Sequence, residues 1–184
     1  MISLDKTRIP ADKLDDPRIA AWEEAVLKSF HEESYRRGVC LHEAAHAIYM
    51  ERAGAIRVTL HPAVALYDPQ NDEFDFATAG VQADFGLVGV EMNSLTMARW
   101  AVAGGVAKRL LIGGDEWGDE GGDQHDFKVF SASALALGLS PEHISEQWEQ
   151  AKRDVEKDLC SPAFRRQLWE RARELERQLM EALK

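Results

Sequence analysis

The hydrophobic positions of this chain change period several times, and each change marks an element. Ile19, Trp22, Val26 and Phe30 recur at helical spacing behind Asp16-Pro17, a capping residue followed by the imino acid suited to a first helical position. A helix is predicted to start there, after an irregular lead-in over residues 1–15, and its Trp22 face is expected to lie on the helix that follows. That second helix is predicted over about residues 33–53. Ala44, Ala45, Ala47, Met50 and Glu51 are strong helix formers, and Gly54 offers a stop. After Gly54 the period drops to two. Ile56, Val58 and Leu60 alternate with Arg57, Thr59 and His61, which predicts a strand with one buried face, ended by Pro62. A second strand is predicted within Phe74 to Ala83, across the polar turn Asp68-Pro69-Gln70-Asn71-Asp72, and the two are expected to pair as a small antiparallel sheet.

From Ser94, read as an N-cap, the helical period returns. Leu95, Ala98, Trp100, Val102, Val106, Leu110 and Leu111 form a broad apolar stripe reaching about Ile112. Gly104-Gly105 interrupts it at a cost of about 1 kcal/mol per glycine relative to alanine, which implies close approach of another backbone, most simply that of the second helix. Gly113 to Asp126 reads as an acidic, glycine-rich loop leading to a helix over about residues 126–137 that Gly138 closes. Asp115, Glu116, Asp119 and Glu120 are expected to be solvated there. Ser140-Pro141 and Ser161-Pro162 repeat the cap-plus-proline start, predicting helices over about 141–159 and 162–183. On the last, Phe164, Leu168, Ala172, Leu175, Leu179 and Leu183 share one face. The expected fold is α+β and predominantly α-helical: one domain over 1–184, with a lead-in and helix (1–31), a core (32–137) built on the second helix with its small antiparallel sheet, and a C-terminal helical hairpin (138–184).

Composition narrows the function classes. The 184 residues are 45% hydrophobic, enough for a real core, and 22 Lys plus Arg against 32 Asp plus Glu give a net charge of −10. That charge opposes a nucleic-acid backbone as partner. No secretory signal is recognisable at the N-terminus and no apolar window is long enough to span a bilayer, so no membrane partner is expected. Cys40 and Cys160 form no close pair, which suits a reducing cytoplasmic setting, with Cys40 as a small buried apolar residue.

The chemistry concentrates in His42-Glu43-Ala44-Ala45-His46, an HExxH motif on the second helix. Histidines at i and i+4 leave the same helix face one turn apart, so their ring nitrogens can share one Zn²⁺, while Glu43 projects beside that face where a carboxylate can act as a general base. A catalytic zinc usually takes a third protein ligand. The HExxHxxGxxH pattern is excluded, because Tyr49 and Arg52 occupy its glycine and third-histidine positions; Glu91 is one downstream alternative. His61, at a strand end, reads as a surface histidine.

Four segments in order, the HEAAHA helix, the strand AIRVTLHP, AVAGGVAKRLLIGG and GGDQHDFKVF, resemble the peptidase domain of the FtsH-type zinc proteases over roughly residues 33–137. That family has a HEAGHA helix, a VTIxP-like strand, a GGRAAEELxFG helix and a TGASNDLxxAT segment whose aspartate is the third zinc ligand. The resemblance places His42 and His46 on the histidine ligands, Glu43 on the catalytic glutamate and Asp126 on the aspartate. The chain departs from the family at Ala45, where a glycine is usual, and at Arg109 and Leu110, where paired glutamates are usual. It carries no G-x-x-x-x-G-K-[ST] loop, so ATP-driven unfolding, membrane anchoring and ring assembly do not transfer with the likeness.

The resemblance implies an ATP-independent zinc metalloendopeptidase acting on peptides or flexible protein segments. Zn²⁺ would be held by His42, His46 and Asp126, Glu43 would serve as the base, and His125 or Tyr49 would be candidates for oxyanion stabilisation. The rival expectation is a non-catalytic module whose zinc only stabilises a regulatory or protein-binding surface. A homo-oligomer and a separate ATPase that delivers substrate stay open as partners.

Overall fold

The computed structural model describes residues 9–85, 93–113 and 120–183. A single 3-10 turn, Ala11–Lys13, precedes six helices and one β-hairpin: α1 (Pro17–Phe30), α2 (Glu33–Arg52), β1 (Arg57–Asp68), β2 (Glu73–Asp84), α3 (Ser94–Leu111), α4 (Glu120–Ala136), α5 (Pro141–Leu159) and α6 (Pro162–Ala182). The protein is α+β and mostly helical. Among the described residues no helix is long and apolar enough to cross a membrane.

The helix starts follow from their caps. Asp16 accepts a hydrogen bond from the Arg18 amide at α1, Ser140 from the His143 amide at α5 and Ser161 from the Phe164 amide at α6, each satisfying an N–H that the helix leaves without a partner. At α3 the cap is Asn93, whose side chain accepts from the Thr96 amide, and Ser94 is the first helical residue rather than the cap. Helix α4 begins at Glu120, six residues before the predicted start, so the segment expected as loop up to Asp126 is half helix. Asp115, Glu116 and Asp119 lie outside the described residues. Gly138 ends the helical run with φ +85°, the left-handed conformation that glycine adopts without a Cβ clash.

Helix α2 is the central element. Ala44, Ala45, Ala47 and Ile48 are fully buried on it, and it packs against α3 on one side and α6 on another, with β2 close by. Helix α5 packs chiefly on α3 and α6 on α2. The C-terminal pair therefore lies on the core as expected but splays, each helix claiming a different partner. Phe164, Leu168, Ala172, Leu175 and Leu179 are buried, which is the predicted α6 stripe. On α3 the predicted stripe holds for Ala98, Val102 and Val106, which are buried, and for Leu95, Trp100 and Leu111, which pack partly buried on the core, while Leu110 is 52% exposed; the buried face also takes in Met97, Ala101, Ala103 to Gly105 and Ala107.

The hairpin pairs antiparallel from Arg57↔Asp84 to Asp68↔Glu73. Pro62 does not end β1; it pairs with Ala79 inside the strand. The reason is parity. The Val81 amide hydrogen-bonds the Glu43 carboxylate on α2 and so points away from β1, which makes Leu60↔Val81 a pair without mutual hydrogen bonds. Pro62↔Ala79, two residues on, has the same parity, so the missing N–H of proline falls where no ladder bond is made. The outer edge of β2 thereby faces α2. Ile56, assigned to the buried face, is 72% exposed, whereas Leu60, Phe74 and Phe76 pack against the core. Trp22 stacks on Phe76 with centroids 4.9 Å apart, so α1 braces the hairpin. Helix α1 lies against α2 as expected, while the Trp22 ring itself stacks on β2.

Candidate metal centre

One turn of α2 separates His42 from His46, and both rings leave the face turned toward α3 and α4. Their Nε2 atoms lie 2.8 Å apart. Asp126, in the second turn of α4, brings Oδ2 to 3.5 Å from His42 Nε2 and 3.4 Å from His46 Nε2. One atom from each of the three residues falls within 4.8 Å of the others, the spacing of donors that share one cation. The early start of α4 matters here, since it puts Asp126 on a helix rather than at the end of a loop, with its backbone fixed.

Two backbone groups and one absent side chain complete the arrangement. The Trp100 carbonyl lies 2.5 Å from His46 Nδ1, so Nδ1 carries a proton and donates to it, and Nε2 is the nitrogen turned toward Asp126 and His42. Gly104 faces both histidines. A Cβ built there would overlap His46 Nε2 and lie 2.5 Å from His42 Nε2, well inside any real contact. The close approach that Gly104 permits is thus that of two imidazoles on α2, in place of the backbone approach expected from the sequence. Glu43, between the ligands in sequence, is 5% exposed and held by the Val81 amide of β2.

The electrostatics are those of a buried, closely coupled cluster. Burial pushes the Glu43 carboxyl above its ordinary 4.5, opposed by His42, His46 and the Val81 amide. Burial works against charge on His46, but facing Asp126 overrides it and pushes the imidazole up to about 9. Burial would raise Asp126, yet His46 and His42 hold its carboxyl well below the usual range. Asp126 Oδ2 nevertheless has no hydrogen-bond partner among the described residues. The Asp126 oxygen and the two imidazole nitrogens, 2.8 to 3.5 Å from one another, form one converging donor set in a largely buried place. Two nitrogens and one carboxylate oxygen fit Zn²⁺ with one position left open. His42 and Asp126 keep 17% and 20% side-chain exposure, so the site is reached from solvent on that side.

The remaining sequence candidates lie elsewhere. Glu91 is outside the described residues. The Tyr49 hydroxyl donates to Asp158 Oδ2 at 2.6 Å and is engaged away from the cluster. His125 neighbours Asp126 on α4 without joining the converging group, and His61 sits on the hairpin opposite Gly80. Arg109, at a position where the resembling family has a glutamate, makes a 3.7 Å ion pair with Glu156 on α5. Trp100 O and the Val81 amide could not have been picked from sequence, because every residue type supplies the same backbone groups. Gly104 did carry a signal, its cost inside a helix. The chain matches no protein-family model, no curated protein and no solved structure.

Proposed function

We propose that this protein is a zinc-dependent metalloendopeptidase, similar in its site to the peptidase domain of the FtsH-type proteases and acting without ATP. The observation that carries the reading is the convergence of His42, His46 and Asp126 within 4.8 Å, with buried Glu43 on the same helix. His42 Nε2, His46 Nε2 and an Asp126 carboxylate oxygen would hold Zn²⁺. When bound, the metal supplies Lewis acidity to the scissile carbonyl and to the attacking water.

The chain's own groups supply the rest. Trp100 O fixes the His46 tautomer, so that ligand is held with no rearrangement on binding. Glu43, already raised by burial, accepts the water's proton at a carboxylate oxygen and returns it to the leaving amine. The Val81 amide donates to that carboxylate and so orients it. Glu43 is too buried for a folded surface to reach, which favours peptides and flexible segments as substrates.

Metal analysis of the wild type and of Asp126→Ala, run beside a peptide-library cleavage assay, tests the proposal. One zinc per wild-type chain, its loss or strong weakening in Asp126→Ala, and chelator-sensitive cleavage are expected. Full zinc affinity in Asp126→Ala would remove Asp126 from the ligand set, and zinc bound without cleavage of any peptide would favour a stabilising, non-catalytic metal.

A further inference from the structure

A second cavity, of about 340 Å³, opens where the C-terminal turn of α2, the first turns of α3 and the last turns of α5 meet. Its charges are arranged in layers. Asp158 accepts from the Tyr49 hydroxyl at 2.6 Å and from Arg52 Nη1 at 2.5 Å, and the Arg52 guanidinium lies over the Tyr49 and Phe164 rings. Asp154 accepts from Arg99 Nε at 2.8 Å and Nη2 at 2.6 Å, and from Gln150. Both arginines are thus fixed in direction by a carboxylate behind them.

Counting donors and acceptors then gives the ligand's sign. A guanidinium has five N–H groups, so pairing with one aspartate leaves each arginine with several unused. Lys157, also on the wall, has no ion-pair or hydrogen-bond partner among the described residues, and Thr96 adds a hydroxyl. The two aspartates already receive Tyr49, Gln150 and the arginines. The cavity wall therefore carries oriented donors left over from the ion pairs and three cations, Arg52, Arg99 and Lys157, against two carboxylates, Asp154 and Asp158, with Lys157 close enough to Asp154 to help hold that carboxyl low, in a chain whose net charge is −10. Its volume lies near the lower end of small-molecule sites.

We propose that this cavity binds a small oxyanion, a carboxylate or phosphate group, between Arg52, Arg99 and Lys157. The two arginines present rigid N–H edges to it, and Lys157 closes over it as a point charge. The proposal is independent of the metal centre and of the peptidase reading. It does bear on their surroundings, since Arg99 adjoins Trp100, whose carbonyl anchors His46.

The test is a thermal-shift and calorimetric titration of the full chain, pretreated with chelator, with inorganic phosphate and separately with succinate, against chloride at matched ionic strength. At least one of the two is expected to raise the melting temperature saturably, with phosphate alone or succinate alone identifying the preferred group. Lys157→Glu, at an exposed position outside both Arg–Asp hydrogen-bonded pairs, is expected to weaken binding about tenfold or more. Shifts no larger than those of chloride for both anions would overturn the proposal. So would unchanged binding in Lys157→Glu, which would place the anion elsewhere.

Discussion

Gly104 is the residue at which the clearance of the site can be tested most simply. Gly104→Ala places a methyl against both imidazoles while favouring the α3 helix by about 1 kcal/mol, so the variant is expected to fold with its helicity unchanged and to lose zinc binding. Circular dichroism beside metal analysis reads both, and a zinc-replete Gly104→Ala would show that the histidines lie elsewhere when the metal is bound. His46 and Asp126 carry a pH signature of opposite sign in the metal-free and metal-loaded protein. His46 is raised from 6.5 to about 9, so in chelator-treated protein its contribution is complete below pH 6.5 and fades as pH climbs through 9. Asp126 is depressed below 3.8, so its contribution is present above that value and fades in stronger acid. The apo protein is expected to gain most from the pair between about pH 4 and 6.5, and Asp126→Asn to flatten that dependence in thermal melts. Zinc must displace the His46 proton, so its affinity is expected to rise with pH over the range in which the apo protein loses this support. At this scale the sequence was legible wherever chemistry sits on a side chain. His42, Glu43 and His46 announced themselves by spacing, and Asp126 came through likeness to a family. Trp100 O and the Val81 amide were silent, since backbone groups have no letter.

At the scale of elements, period and caps served well for the helices and less well for the hairpin. Helices α1, α2, α5 and α6 start and stop within a residue or so of where Asp16-Pro17, Gly54, Ser140-Pro141 and Ser161-Pro162 put them, because a cap is a local hydrogen bond that needs no tertiary partner. The start of α4 was hidden by Gly121 and Gly122, which read as loop yet lie within a helix packed on α3 and α5. Pro62 looked like a terminus because its tolerance in β1 depends on which way the neighbouring amides point, a property of register and not of composition. The hairpin's seat likewise depends on a long-range contact. Trp22→Ala removes the stack on Phe76 and, because the ring is only partly buried, is expected to cost about 2–3 kcal/mol. Denaturant melts would measure it, and a loss below 1 kcal/mol would show that α1 does not brace the hairpin. Leu175→Ala, fully buried between α6 and the core, is expected to cost about 2–5 kcal/mol by the same measurement.

The described residues form a helical core around α2, with α3 and α6 against its sides, α4 packed on α3 and a hairpin turning one edge toward Glu43. The fold class was legible because amphipathic periods and glycine or proline punctuation report on burial directly. How the pieces meet was less so: the splay of α5 and α6 onto different helices, and the delivery of Asp126 by α4, are packing outcomes that no single stripe encodes. The centre's two facing imidazoles and the Asp126 carboxylate converge on one point, and the central proposal is that a catalytic zinc is held there. Cleavage of an unstructured protein by wild type and by Glu43→Gln, each loaded to the same zinc content, tests it most directly. Wild-type cleavage abolished by chelator, restored by zinc, and reduced at least about a hundredfold in Glu43→Gln with the metal retained is the expected result. Cleavage of equal rate in Glu43→Gln would contradict the account.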